Sequence, residues 1–318
     1  MSTAAPTPHG SPPGAAEPFG VRVESDGGLA GIGVLTLDQP GKPVVVLDLP
    51  LIQRLEATLT ALPSGLRGLV LASASPRAFV AGADLKTISE WDDDQLHRYL
   101  EYGSRVFGML GQLPFPTAAA INGAVLGGGL ELAMHCDGLV ASPPAEKDGQ
   151  PGRPYPVGLP EAGLSICPGW GGTNLLPARM EPGRAIAMTA TGTTMSFDQA
   201  RGAGLFDAVA SGPGDLVSCA GRWITERSSS RVERDGRPPR WIGRPACLAS
   251  VSEALDRIRG ETTLSAESSA VFEAVEAGLT RGWTAALEVE RHHLVRLRHL
   301  PAARSALAAF FARSSGRS

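Results

Sequence analysis

Between residues 20 and 140, short apolar runs of strand length alternate with longer stretches whose apolar residues recur every three or four positions. That alternation restricts the fold more than any other feature, because strands separated by helices are joined by crossovers into a largely parallel sheet covered by helices. Strands are expected in "GIGVLTLDQ" (31–39), "GLRGLVLAS" (65–73), "PTAAAING" (116–123) and "GLVAS" (138–142). Helices are expected in "LDLPLIQRLEATLTALP" (47–63), near 93–111, and after the glycines at 127–129; "FVAGADLK" (79–86) reads as a loop. In the helix near 93–111, Leu96, Leu100, Phe107 and Leu110 fall at helical spacing, so one face should be buried, and part of it could roof an apolar ligand pocket.

The flanks read differently. Residues 1–18, rich in Pro, Ala, Gly and Ser, are expected to be a disordered tail ahead of an α/β core at 19–212. "PPAEKDGQPGRPYP" (143–156) holds five prolines and mixed charges and reads as a surface loop. "RSSSRVERDGRPPR" (227–240) reads as a separator between the α/β part and a helical C-terminal region. From about 248 onward the pattern is helical, and Pro301 suits a first turn. This region, 213–318, has an apolar stripe but too few residues for a core of its own, so it should pack on the α/β part or on another subunit.

Composition narrows the class. At 43% apolar and 19% charged residues the chain reads as a soluble globular protein, and 29 basic against 32 acidic residues, net charge -3, point to no nucleic-acid or anionic-membrane partner. Cys136, Cys167, Cys219 and Cys247 form no CxxC pair, which suggests reduced thiols in a cytoplasmic setting and no zinc site. No run of about 18 apolar residues and no secretion-signal pattern occurs, so neither membrane span nor export is expected. His135 lies among apolar residues and reads as a core or interface histidine. His292 and His293 are adjacent on a helix and point to different sides, which disfavours a metal pair.

Three glycine-rich segments could carry chemistry: "AFVAGADLK" (78–86), "INGAVLGGGLELAMHCD" (121–137) and "GLPEAGLSICPGWGGT" (158–173). Each glycine costs a helix about 1 kcal/mol relative to alanine, an expense that packing alone seldom explains. At a helix start, glycines let a ligand approach unpaired backbone N–H groups that suit a developing negative oxygen. Glu131 lies one turn past Gly128 and is either a first-turn charge or a functional acid held among apolar neighbours. Glu161, after Pro160, is either a solvated loop acid or the second member of an acid/base pair whose proton affinities burial would separate. The chain has no GxGxxG, no GxxxxGK[ST] and no GxSxG, so dinucleotide, P-loop and serine-nucleophile readings lack their fingerprints.

In order along the chain, "LTLDQP", "RGLVLAS", "AFVAGADLK", "PFPTAAAINGAVLGGGLELAMHCD", "GLPEAGLSICPGWGGT" and "TATGTTMSFDQARGAGLFDAV" resemble the enoyl-CoA hydratase/isomerase (crotonase) family over roughly residues 28–210. The resemblance implies a crotonase-like spiral of repeated ββα units with a C-terminal helical region. It also implies a lyase of fatty-acid metabolism, adding water across the 2,3 double bond of a 2-enoyl-CoA, with a Δ3-Δ2 isomerase and a non-catalytic acyl-CoA-binding protein as alternatives. It places the oxyanion hole at the backbone N–H groups of Ala83 and Gly128, the paired acids at Glu131 and Glu161, and water positioning at Gly169. Ala81, Gly82, Asp84, Leu85 and Lys86 would line the coenzyme A path. No metal or redox cofactor is implied, coenzyme A being part of the substrate, and homotrimers or paired trimers are the expected assemblies.

The sequence departs from that family's pattern in three places. An asparagine often found near position 45 is replaced by valine, and the interval from Asp137 to Glu161 is about ten residues longer than in typical relatives. The third departure is the long C-terminal part, which resembles the hydratase portion of multifunctional fatty-acid oxidation proteins. With no second βαβ unit and no dinucleotide fingerprint, dehydrogenase chemistry is not expected here.

Overall fold

The computed structural model describes residues 16–146, 149–150, 152–227 and 234–315. The expected tail therefore lies outside the described residues except for 16–18, which carry no regular secondary structure. In the N-terminal half the elements are β1 (Val21–Val23), β2 (Ile32–Leu37), α1 (Leu49–Thr60), β3 (Gly68–Ser73), β4 (Ala78–Val80), α2 (Leu85–Glu90), α3 (Asp93–Leu110), β5 (Thr117–Ile121), β6 (Ala124–Leu126), α4 (Gly128–Met134) and β7 (Gly138–Ala141). Next along the chain are β8 (Pro156–Gly158), α5 (Gly172–Leu175), α6 (Pro182–Thr191), β9 (Thr194–Ser196), α7 (Phe197–Gly202), β10 (Ala208–Val209) and α8 (Leu216–Thr225). The last four helices are α9 (Pro245–Glu261), α10 (Ala266–Arg281), α11 (Trp283–Leu297) and α12 (Pro301–Ser315).

Two sheets result. The larger runs β1-β2-β3-β5-β7-β10, parallel except for the β1/β2 edge; the smaller runs β4-β6-β8-β9, parallel except for β8/β9. Three successive stretches each place one strand in the large sheet and the next in the small one, then return through helix: β3-β4-α2, β5-β6-α4 and β7-β8-α5. This is the spiral of ββα units that the resemblance implies. The loop expected at 79–86 in fact begins inside β4, a strand too short for its alternation to register in the sequence.

Strand periodicity decides which core each side chain enters. Leu35, Leu37, Leu69, Leu71, Ala119 and Ile121 point into the main core between the sheets and the helices, whereas Ile32, Val34, Val70, Ala118, Ala120 and Val140 point to the outer face. Helix α8 covers that outer face so closely that a Cβ on Gly138 would sit 2.5 Å from the Trp223 ring. Helix α3 starts in a capping box, Asp92 and Gln95 exchanging side-chain and backbone bonds, and buries Leu96, Leu100, Phe107 and Leu110 as expected, together with Tyr99 and Val106. The C-terminal helices dock on the α/β part: α11 on α3, α10 on α5 and α6, and α12 on the short 3-10 turn at Glu161–Leu164. Among the described residues, no helix is long and apolar enough to cross a membrane.

Two expectations need correction. The proline-rich stretch 143–156 is not loop to its end: Tyr155 is buried, with its hydroxyl on Ser142 O at 2.8 Å, and Pro156 opens β8. The polar interval 227–240 is not a simple separator, because its described part is anchored. Arg234 donates to both carboxylate oxygens of Asp137 (2.7 and 2.9 Å) and to the carbonyls of Leu113 (2.8 Å) and Phe115 (3.0 Å). Asp137 in turn accepts from the Thr117 amide and hydroxyl at the start of β5. Removing one partner of a largely buried ion pair strands the other, so Arg234→Met should lower unfolding free energy by about 3 kcal/mol in urea denaturation; a change within about 0.5 kcal/mol, the range of ordinary surface substitutions, would show the segment to be only a tether.

Candidate active site

The three glycines at 127–129 turn the chain from β6 into α4 where neighbouring atoms crowd the backbone. Gly127 has φ +52°, and a Cβ there would stand 2.5 Å from Glu161 Oε1. Cβ atoms on Gly128 and Gly129 would stand 2.4 Å from the Trp170 ring and 2.4 Å from Val80 O. Packing therefore does demand all three, contrary to the expectation that it seldom suffices, and the same lack of side chains leaves backbone facing open space.

That space is a cavity of about 180 Å3, walled by Ala81, Gly82, Ala83 and Leu85 on one side and by Gly127, Gly128, Glu131, Glu161 and Gly169 on the other. Leu100, Ile166, Trp170 and Leu294 close its apolar depth, and Phe310 of α12 lies at its wall. The face of α3 expected to border an apolar pocket does so through Leu100. Within the described residues the amides of Ala83 and Gly128 make no intramolecular hydrogen bond, so both remain free to donate. Asp84 and Lys86 stand outside the cavity wall: Asp84 caps α2 by accepting from the Lys86 and Thr87 amides, and Lys86 is exposed, 3.8 Å from Glu90.

Glu131 is 1% exposed. Its Oε1 accepts the amides of Trp170 and Gly172, each at 2.8 Å, which ties α4 to the turn after Gly169. Burial, then the nearby carboxylates of Glu290 and Glu161, push its pKa well above the usual range, while the two amides pull the other way. Glu161 reaches the same cavity because Gly127 N bonds Gly158 O at 2.9 Å, holding the 158–161 turn against the mouth of α4. The residue is half-buried, yet its Oε2 is shut off from solvent with no partner. Burial raises its pKa to about 8, its own backbone amide pulling the other way and the Glu290 charge adding a smaller push. The long interval ahead of it has not displaced it; Ala145 and Glu146 of that interval are exposed and line a separate surface hollow.

The turn holding Glu131 is itself pinned. The Trp170 indole donates to Leu100 O at 3.0 Å and meets the Tyr99 and Phe107 rings edge-on. His135, expected as a core histidine, is buried, and its Nε2 donates to Trp170 O at 3.2 Å; burial lowers its pKa to about 4, so the ring is neutral at neutral pH. Sequence reasoning missed a third acid. Glu290 of α11 is wholly buried and accepts the amides of Gly171 (2.6 Å) and Thr173 (2.9 Å) and the Thr173 hydroxyl (2.5 Å). Its signal was legible: it falls on the apolar stripe of Leu287, Leu294 and Leu297, where an acid needs a reason. Among the described residues, no cluster of three or more His, Cys, Asp or Glu is arranged to hold a metal ion.

Comparison with known proteins decides the family. The enoyl-CoA hydratase/isomerase profile matches residues 27–231, more than half of the chain. The chain belongs to the enoyl-CoA hydratase/isomerase family. Among solved structures, an enoyl-CoA hydratase from Bacillus anthracis is 26% identical, with 89% of this chain and 93% of that one covered and a TM-score of 0.55. Human mitochondrial delta3-delta2-enoyl-CoA isomerase, at 20% identity, 94% and 99% coverage and TM-score 0.64, shares the fold. So does an enoyl-CoA hydratase from Mycobacterium avium subsp. paratuberculosis K-10, at 18% identity, 93% and 96% coverage and TM-score 0.59. The glycine turn, the free amides and the two acids all stand at one cavity.

A carboxyl whose folded-state pKa is raised contributes its full stability below the unfolded value and loses it as pH climbs toward the folded one. For Glu161 that window runs from 4.5 to about 8, and each unit is about 1.4 kcal/mol. Glu161→Gln should therefore gain stability over the parent as pH rises from about 5 to about 9, read as diverging melting temperatures. Parallel curves would show that Glu161 ionises freely in the folded protein.

Proposed function

We propose that this protein is an enoyl-CoA hydratase, adding water across the 2,3 double bond of a 2-enoyl-CoA to give a 3-hydroxyacyl-CoA. The observation that carries the reading is the presence of two buried carboxyls, Glu131 and Glu161, on the wall of one apolar cavity that also exposes the unbonded amides of Ala83 and Gly128. Addition of water moves negative charge onto the thioester oxygen, and pre-aimed amides stabilise it without reorganisation; one such donor is worth about a hundredfold to a thousandfold in rate.

The two acids divide the proton work. Glu131, whose Oε1 is held by two amides that oppose the rise burial imposes, serves as the base; in its ionised form it takes a proton from water as the oxygen attacks C3. Glu161, with no donor on Oε2 and a pKa near 8, is protonated at neutral pH and delivers its proton to C2. The proton taken by Glu131 then returns to Glu161, which balances the cycle. Gly169 supports a place for water beside Glu131, and Ala81, Gly82 and Leu85 border the thioester. Because backbone amides polarise the carbonyl, the reaction as proposed draws on no metal or redox group.

Loss of the conjugated enoyl-thioester absorbance tests this. The parent should consume a 2-enoyl-CoA, at a rate that falls as pH rises through about 8, where Glu161 gives up its proton. Glu131→Gln and Glu161→Gln should each lower kcat by about a hundredfold to ten-thousandfold while still binding acyl-CoA. Turnover of a 3-enoyl-CoA alone would instead mark an isomerase, and binding of both substrates without turnover would mark a non-catalytic acyl-CoA-binding protein.

A further inference from the structure

Four consecutive amides, at residues 170 to 173, donate alternately to two buried acids on opposite sides of the turn. Trp170 and Gly172 donate to Glu131 Oε1, both at 2.8 Å; Gly171 and Thr173 donate to Glu290, at 2.6 Å and 2.9 Å. Such alternation needs the left-handed backbone of Gly171, φ +102°, and a Cβ there would strike the Trp283 ring at 2.3 Å. Glu290 neither lines the cavity nor bonds Glu131, and its partners on the turn come from an element more than 110 residues away in sequence.

We propose that Glu290 is a positioning residue for the reaction: by fixing the amides of Gly171 and Thr173 from α11, it orients the alternate amides of Trp170 and Gly172 that hold Glu131, and so lets the C-terminal helices set the geometry and charge of the reacting carboxylate. This rests on the hydratase reading for its catalytic consequence, though not for its structural one. A bare core role would ask only that a buried acid be satisfied. Here the same short turn is shared, so a shift of Glu290 must move the donors to Glu131.

Charge carries a second consequence. The ionisable groups facing this turn are Glu131 from α4 and the neutral His135 that follows that helix, Tyr99 from α3, Glu161 from the 3-10 turn, the buried thiol of Cys167, and Glu290 with its neighbour Arg291 from α11. Burial, the largest influence, raises the pKa of Glu290, and Thr173 and the two amides oppose that rise. An anionic Glu290 opposes ionisation of both catalytic acids, and of the nearby charges it bears on Glu131 ahead of Glu161. Removing it should make Glu131 easier to ionise while leaving that carboxylate less well aimed.

The test compares the parent with Glu290→Gln, Glu290→Asp and Thr173→Val. In Glu290→Gln, one amide of the turn loses its acceptor. With a 2-enoyl-CoA, kcat should fall roughly tenfold to a hundredfold, the scale of an ångström-sized misplacement, with KM within about twofold. The acidic limb of the pH profile should move to lower pH. Glu290→Asp keeps the charge, so it should leave that limb in place while lowering kcat. Two readouts do not depend on turnover: isotope-edited infrared titration of the Glu131 carboxyl, and hydrogen exchange at the Trp170 and Gly172 amides. The Glu131 midpoint should fall in Glu290→Gln, and both amides should exchange about tenfold faster. If Glu290→Gln does not fold, Thr173→Val, which removes only the hydroxyl donor, should show the same exchange effect to a smaller degree. Unchanged midpoint and exchange in a folded variant would overturn the proposal. A parent that turns over no enoyl-CoA would sink the hydratase reading alone, since midpoint and exchange still decide the role of Glu290.

Discussion

The structure of this site depends on one buried contact, the pair of amide hydrogen bonds from Trp170 and Gly172 to Glu131 Oε1. A carboxylate out of water is expensive unless donors replace its hydration, and charged hydrogen bonds of this length are among the stronger kind. Here the donors belong to a turn that comes after β8 and leads into the first residue of α5, whereas the acceptor stands on α4 after β6. The bonds therefore staple two successive turns of the ββα spiral at the place where the cavity opens. The glycines serve the same join: 127 clears Glu161, 128 clears Trp170 and 129 clears the backbone of β4.

Around that join the protein concentrates acidic groups in a buried place. Glu131, Glu161 and Glu290 are all buried at their carboxyls, and burial is the largest influence raising each. Like charges confined at low dielectric do not all ionise together, so the donor set sorts them. Glu131 has two amides on one oxygen, Glu290 has two amides and a hydroxyl, and Glu161 Oε2 has nothing. That inequality is what gives the proposed acid and base separate identities on one wall.

Much of the fold is readable from the sequence, and for definite reasons. Long, periodic elements such as α1, α3, β2, β3 and β5 announce themselves because each buries a full face, and period fixes which residues do so. The small sheet is hidden, since β4, β6, β8 and β9 are three residues each and give alternation no room. Glu131 and Glu161 stand out through their glycine-rich surroundings and the family resemblance, and both are found at the cavity. Asp84 and Lys86, expected on the coenzyme A path, stand outside the cavity wall, one in a helix cap and the other in an exposed ion pair. Glu290 shows locally only as an acid on an apolar stripe and Arg234 gives no such sign, because their partners lie far along the chain, at Gly171 and at Asp137, and no local pattern specifies a contact of that range.

The central claim is that one thioester oxygen meets two amides while both acids face the adjacent carbons. A crystal structure with an unreactive acyl-CoA bound measures this directly. The account predicts the thioester oxygen at about 2.7–3.1 Å from the nitrogens of both Ala83 and Gly128, with C2 and C3 beside Glu161 and Glu131. An acyl-CoA seated with its carbonyl on neither amide, or with its acyl chain outside the cavity walled by Leu100 and Leu294, would contradict it.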